Sequence, residues 1–219
     1  MIAHLQQLDP TVLFVAYGWN ESFDGDQGLA RFHAGLTRLL REAGAPTRRF
    51  VLITPVPLEK GFGTELPSRR RTSPPSTSYL NGRNSILKSY RDIIASVAQE
   101  GGHHLVDLFE ALYKFEGSYT TNGIHPSAKG YQTVTSIMAQ DLRLPDPVIA
   151  LDSKEATALR TTILKKNTLY FHRWRPRNDA FVYGERKSEQ VIAQGEPEQF
   201  EPFVKKLEDH IREQLKALR

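Results

Sequence analysis

Two short segments of the chain combine residue types that do chemistry. In Tyr17-Gly18-Trp19-Asn20-Glu21-Ser22 a glycine able to turn sharply stands two residues before an asparagine, and in Asn122-Gly123-Ile124-His125-Pro126 a histidine is carried between glycine and proline. The Asn20 amide is a donor that can stabilise an oxyanion in a crevice. Histidine titrates near neutrality, so His125 can act as a general base. Gly18, Trp19 and Glu21 surround Asn20 and are the candidate binding residues. The plainer readings are that Asn20 caps its loop and that His125 is a hydrogen-bonded surface histidine.

Other residues carry less. His103-His104 suggests a metal, but adjacent residues at the start of a strand point to opposite faces and no carboxylate shares their spacing, so no metal site is expected. Asp107 ends a predicted strand and can reach a crevice, although a structural hydrogen bond is the commoner role. Ser22 lies in the first segment but lacks the strand-turn-helix presentation of a nucleophile. Ser118 lies seven residues before His125, and Ser127, two after it, suits a helix cap. The chain has no cysteine, which removes thiolate nucleophiles, cysteine zinc sites and disulfides together. No cofactor is expected.

A scaffold must bring the two segments to one edge. Ile2, Leu5 and Leu8 have helical spacing, stopped by Asp9-Pro10. Residues 11–16, 50–53 and 104–108 read as three buried strands. Between them, Leu29, Phe32, Leu36, Leu39 and Leu40 define a helix ended by Gly44 and Pro46. Leu80, Leu87, Tyr90, Ile94 and Val97 define another, ended by Gly101-Gly102. Residues 17–26 and 57–78 read as loops. The second is a candidate lid, whose Arg69-Arg70-Arg71 is either an anion contact or a solvated charge run. A further helix runs over 128–142 with Ser127 as its N-cap. Apolar strands alternating with amphipathic helices predict an α/β fold, in which right-handed βαβ units build a parallel sheet covered on both faces. The ligand site then lies beyond the carboxyl ends of the strands, at the loops after Ala16, Ile53 and Asp107.

Composition fits this class. The chain has 219 residues, 39% hydrophobic and 25% charged, and such a length buries on the order of 70% of its unfolded surface. A net charge of +4 is too small to call for nucleic acid. The longest apolar run, Val12 to Ala16, falls far short of the roughly 20 residues of a membrane span. No export signal follows Met1, so the cytoplasm is the default compartment unless an upstream segment exists. The oligomeric state is not set by the sequence.

Past Pro145 the character changes, so residues 1–145 read as an α/β core and 146–219 as a helical, aromatic and basic extension. A helix is expected over 148–166 and a final one on Phe200, Phe203, Val204, Leu207, Ile211, Leu215 and Leu218. Between them Arg173, Arg175 and Arg177 are interleaved with Tyr170, Phe171 and Trp174. That composition suits a polyanion platform, or basic stems packed on rings where a tail docks, which is the commoner outcome.

Together the two segments resemble the SGNH/GDSL hydrolase superfamily, in which Gly-x-Asn follows the third strand and Asp-x-x-His precedes the last helix. Gly18-Trp19-Asn20 looks like the first motif and Asn122-Gly123-Ile124-His125 like the second, in the same order and on the same βα background. The stretch from Tyr170 to Pro176, with Asn178, Glu189 and Gln190, looks like the extension of planctomycete-type members. The resemblance implies a three-layer, flavodoxin-like fold and hydrolysis of a small-molecule or carbohydrate ester through a serine acyl-enzyme. His125 would be the base, Asn20 an oxyanion donor, and Asn122 would stand at the acid position.

There are departures from the pattern. Family members carry Gly-Asp-Ser at the end of their first strand, and that tripeptide is absent here. The chain starts at the helix before the third strand, so the core is expected to be incomplete at its N-terminus. Asn122 cannot offset the charge of imidazolium, a loss that costs a serine protease roughly four orders of magnitude in turnover. As a hydrolase the chain alone is therefore expected to be impaired or inactive. The alternative is a non-catalytic module that holds an anionic carbohydrate or nucleic acid.

Overall fold

The structure, a computed structural model, describes residues 5, 8–59, 76–145, 152–174 and 195–218. It divides into two compact units, Met1–Leu144 and Pro145–Arg219.

Among the described residues of the first unit, three parallel strands form one sheet in the order β1 (Val12–Ala16), β2 (Arg49–Ile53), β3 (His104–Val106). Val12 is paired with Arg49, Ala16 with Ile53 and Ile53 with Val106, so the three carboxyl ends lie level along one edge. Helix α1 (Leu29–Ala43) connects β1 to β2 and α2 (Thr77–Gly101) connects β2 to β3; α3 (Leu108–Tyr113) and α4 (Ala128–Asp141) follow.

The period-2 alternation of the strands decides which helix each face takes. Leu13, Val15, Phe50, Leu52 and Leu105 join Phe32, Leu36 and Leu40 of α1 and Tyr90, Ile94 and Val97 of α2. Val12, Val51, Ile53 and Val106 join Leu108 and Leu112 of α3 and Val134, Ile137 and Met138 of α4. Helices therefore cover both faces, which makes the unit a three-layer α/β fold. Leu52, Leu87 and Val106 are fully buried, and such burial contributes about 1.5–3 kcal/mol per side chain.

Several boundaries differ from the sequence reading. The third strand stops at Val106 because Asp107 turns the chain and its side chain accepts the Glu110 N–H at 3.2 Å, so Leu108 opens α3 instead of ending the strand. The segment expected as a plain loop after β1 contains a 3₁₀ stretch, Glu21–Gly28, broken at Gly25. Helix α2 starts at Thr77, because the Ser76 hydroxyl caps the Tyr79 N–H, and ends at Gly102 in the left-handed region (φ 61°). Ser127 caps α4 by accepting the Gly130 N–H at 3.1 Å. Of the first predicted helix, Leu5 and Leu8 are described and both are helical. Arg69-Arg70-Arg71 and the candidate lid lie largely outside the described residues.

The second unit contains α5 (Lys154–Trp174), a 3₁₀ turn (Glu196–Phe200) and α6 (Glu201–Ala217). Helix α5 starts later and runs further than the helix expected over 148–166, since Ser153 caps it through the Ala156 N–H. Arg173 faces Glu201 at 3.5 Å and Glu198 at 4.0 Å, and the Lys166 ammonium lies 5.6 Å from the Tyr170 ring centre. Arg175, Arg177 and the rest of the basic-aromatic stretch lie outside the described residues. No helix among the described residues is long and apolar enough to cross a membrane.

Candidate active site

The chain leaves β1 through Gly18, whose φ of 107° disfavours any side chain and whose added Cβ would stand 3.2 Å from Ile94 Cδ1. The Gly18 N–H donates to Glu21 Oε2 at 2.8 Å, so Glu21 closes its own turn. Trp19 stacks on Phe23 with ring centres 5.6 Å apart, and the Arg83 guanidinium lies 4.8 Å from the Trp19 ring centre and 4.1 Å from that of Phe23. Arg83 also donates to the Ser22 carbonyl at 2.8 Å and to Ser22 Oγ at 2.6 Å. Burial pushes this guanidinium below its usual value.

Ser22 is fully buried, and its hydroxyl donates to the Trp19 carbonyl while accepting from Arg83. Both capacities are spent inside the protein, so Ser22 offers no nucleophile at the surface. Asn20 is the opposite case. It is exposed at the N-cap position of the 3₁₀ stretch, its side-chain oxygen accepts no capping bond, and its NH2 remains available as a donor. Beside this loop a cavity of about 250 Å³ is lined by Tyr17, Glu21, Arg31, Phe32, Leu36 and Leu39, among others.

The segment after β2 is pinned from two sides. Asn84 of α2 accepts the Leu58 N–H at 2.7 Å and returns its own amide to the Leu58 carbonyl at 2.9 Å, imitating a strand pairing. The next residue, Glu59, is 8% exposed. Its carboxylate accepts the N–H of Tyr119 at 3.0 Å, the N–H of Thr120 at 2.7 Å and the Thr120 hydroxyl, and its own N–H donates to the Gly123 carbonyl at 3.0 Å.

After β3, Asp107 accepts from Thr54 Oγ1 at 3.1 Å and from Arg91 Nε at 2.8 Å. That hydrogen bond raises the Arg91 guanidinium above its usual value. Asp107 is therefore a structural hinge pin.

The histidine loop is a compact turn. The Thr121 N–H donates to the His125 carbonyl at 2.9 Å, Ser127 N–H to the Tyr119 carbonyl at 2.9 Å, and Gly123, at φ 86°, donates to Thr120 Oγ1 at 2.9 Å. Asn122 Oδ1 accepts the His125 N–H at 2.9 Å and the Ile124 N–H at 3.3 Å. The His125 ring is exposed, with Nδ1 at 2.9 Å from Asn122 Nδ2 and 3.1 Å from Oδ1. Oδ1 already serves two backbone donors, so Nδ2 is the atom left to address the ring. Nδ2–H then donates to Nδ1. His125 Nε2 makes no hydrogen bond within the described residues.

The loop after β1 carries Asn20 at the carboxyl edge, and the segment after β2 holds the loop that carries His125. Arg83 and Asn84, adjacent on α2, reach these two segments, Arg83 the first and Asn84 the second. Sequence reasoning missed Arg83, Asn84 and Glu59, because their partners stand about sixty, twenty-six and sixty residues away. The signal available was a carboxylate following the apolar, proline-bounded run from Thr54 to Leu58. His103 and His104 do not belong to this edge: the His103 ring packs on Phe50 at 5.2 Å and His104 Nε2 bonds the Asp141 carbonyl at 2.9 Å. Among the described residues no group of three or more His, Asp or Glu could hold a metal ion.

Comparison with known proteins gives a family match: the model described as the GDSL-like Lipase/Acylhydrolase family covers residues 2–133. A bovine (Bos taurus) protein, isoamyl acetate-hydrolyzing esterase 1 homolog, is 31% identical over 141 residues, which is 58% of this chain and 53% of that protein. The chain thus spans about half the length of this relative. Among solved structures, a catalytic mutant of the acetylxylan esterase Axe2 from Geobacillus stearothermophilus aligns at 17% identity and TM-score 0.44, over 65% of this chain and 67% of that one. LAE5, an alpha/beta hydrolase enzyme from the metagenome of Lake Arreo, Spain, aligns at 19% identity and TM-score 0.45, over 64% and 65%.

Proposed function

We propose, from the premise that this chain belongs to the GDSL-like lipase/acylhydrolase family, that it carries the base and oxyanion side of a site for small esters and by itself hydrolyses them only at trace rates. The observation that carries this reading is the pair at the carboxyl edge: an exposed Asn20 whose NH2 can donate, and His125 on a loop braced by buried residues.

In the complete reaction a serine hydroxyl attacks the acyl carbonyl and its proton passes to the imidazole. The oxyanion draws a hydrogen bond from Asn20, and the alcohol leaves with the proton that His125 returns. Water, deprotonated by His125, then attacks the acyl-enzyme to release the acid and restore the serine hydroxyl. Two features set the low rate of the chain alone. No Gly-Asp-Ser occurs in its 219 residues, and Ser22 is buried in hydrogen bonds, so neither the family's nucleophile motif nor the serine beside Asn20 supplies the attacking hydroxyl. Asn122 replaces the carboxylate that would orient and compensate the imidazolium. The bovine relative's name points to an acetate of a small branched alcohol.

Hydrolysis of p-nitrophenyl acetate by the 219-residue chain tests this. The rate expected is close to that of buffer and unchanged by Ser22→Ala. Robust turnover abolished by both His125→Ala and Ser22→Ala would show that the nucleophile is present after all.

A further inference from the structure

We infer that Glu59 is the positioning residue for His125. The inference rests on His125 being the base of the proposed site, but its argument is geometric. A carboxylate with 8% of its surface exposed is costly to bury unless its oxygens are matched by donors. Glu59 finds three, from Tyr119 N–H, Thr120 N–H and the Thr120 hydroxyl, all within the six residues before His125. The Thr120 hydroxyl oxygen in turn accepts the Gly123 N–H at 2.9 Å, and the Glu59 N–H holds the Gly123 carbonyl at 3.0 Å. One residue therefore fixes the entry of the His125 loop at Tyr119 and Thr120 and its apex at Gly123.

Only a carboxylate satisfies this donor set. A glutamine at the same place presents one oxygen and one NH2, and the NH2 would face an N–H or O–H that needs an acceptor. Glu59 is itself held in place, because the preceding Leu58 is gripped at both N–H and carbonyl by Asn84. The neighbouring Arg83 grips the Ser22 end of the Asn20 loop. The spacing between the donor at Asn20 and the imidazole is in this way referred to one turn of α2.

Amide hydrogen exchange and imidazole ¹⁵N spectra of Glu59→Gln test the assignment without any ester or turnover. Exchange at Tyr119 and Thr120 should quicken by roughly tenfold or more while Leu52 and Val106 in the sheet keep their protection. The His125 ring signals should shift or split as the loop samples further conformers. Unchanged ring signals alongside faster exchange would make Glu59 a structural residue only and overturn the proposal. If Glu59→Gln loses the sheet as well, Thr120→Val removes a single donor; displaced His125 signals with intact sheet amides are then expected, and unmoved ones overturn it. Failure of the ester reading would appear separately, as a wild-type protein whose Asn20 and His125 ignore an added ester.

Discussion

Asn122 Nδ2 stands 2.9 Å from His125 Nδ1, while Asn122 Oδ1 accepts the His125 backbone N–H, also at 2.9 Å. The orientation of the amide is thus set by the turn, and the amide in turn selects the ring tautomer. With Nδ1 accepting, a neutral imidazole keeps its proton on Nε2. A general base acting on a serine hydroxyl needs the reverse, a proton on Nδ1 and a free lone pair on Nε2.

Asn122→Asp should therefore invert the tautomer, because a carboxylate only accepts and calls for Nδ1–H. Imidazole ¹⁵N shifts, recorded where His125 is neutral, distinguish the two forms. The wild-type chain should show the Nε2–H form and the Asp variant the Nδ1–H form. A wild-type ring already protonated on Nδ1 would contradict this reading of the turn.

Tyr119 links the same loop to the segment after β2, with its hydroxyl donating to the Pro57 carbonyl at 2.9 Å. Burial, with the Glu59 charge adding to it, pushes the phenol above its usual range. Since the folded value lies above the unfolded value of about 10, the stabilising contribution is complete below about pH 10 and fades as pH rises toward the folded value. Tyr119→Phe leaves a buried carbonyl unpaired and should cost about 1–3 kcal/mol at neutral pH. Urea unfolding at pH 8, 10 and 11 should show the gap between wild type and variant constant up to about pH 10 and then narrowing. A gap that widens with pH would contradict the sign.

The βαβ scaffold was legible because its signals are local. Leu29, Phe32, Leu36 and Leu40 announce the buried face of α1, Ser127 announces the start of α4, and Gly102 the end of α2. The short α3 was not, because the apolar Leu108 continues the strand pattern and only the capping bond of Asp107 reveals the turn. In the site, Asn20 and His125 could be named from residue type and neighbouring glycines. What holds them could not: Glu59 falls in a stretch rich in proline and glycine that reads as open loop, and its three donors come from residues about sixty positions later. Ser22 shows the converse, a residue whose type suggests chemistry and whose burial under Arg83 removes it.

Adding isoamyl acetate to the ¹⁵N-labelled 219-residue chain tests the proposed ester site most directly, since turnover at the trace rates proposed leaves the ester intact during the titration. The Asn20 side-chain NH2 and the His125 signals should move together and saturably, and Asn20→Ala should weaken the His125 response. Shifts confined to residues 152–218, or none at Asn20 and His125, would contradict the assignment of these two residues to an ester site.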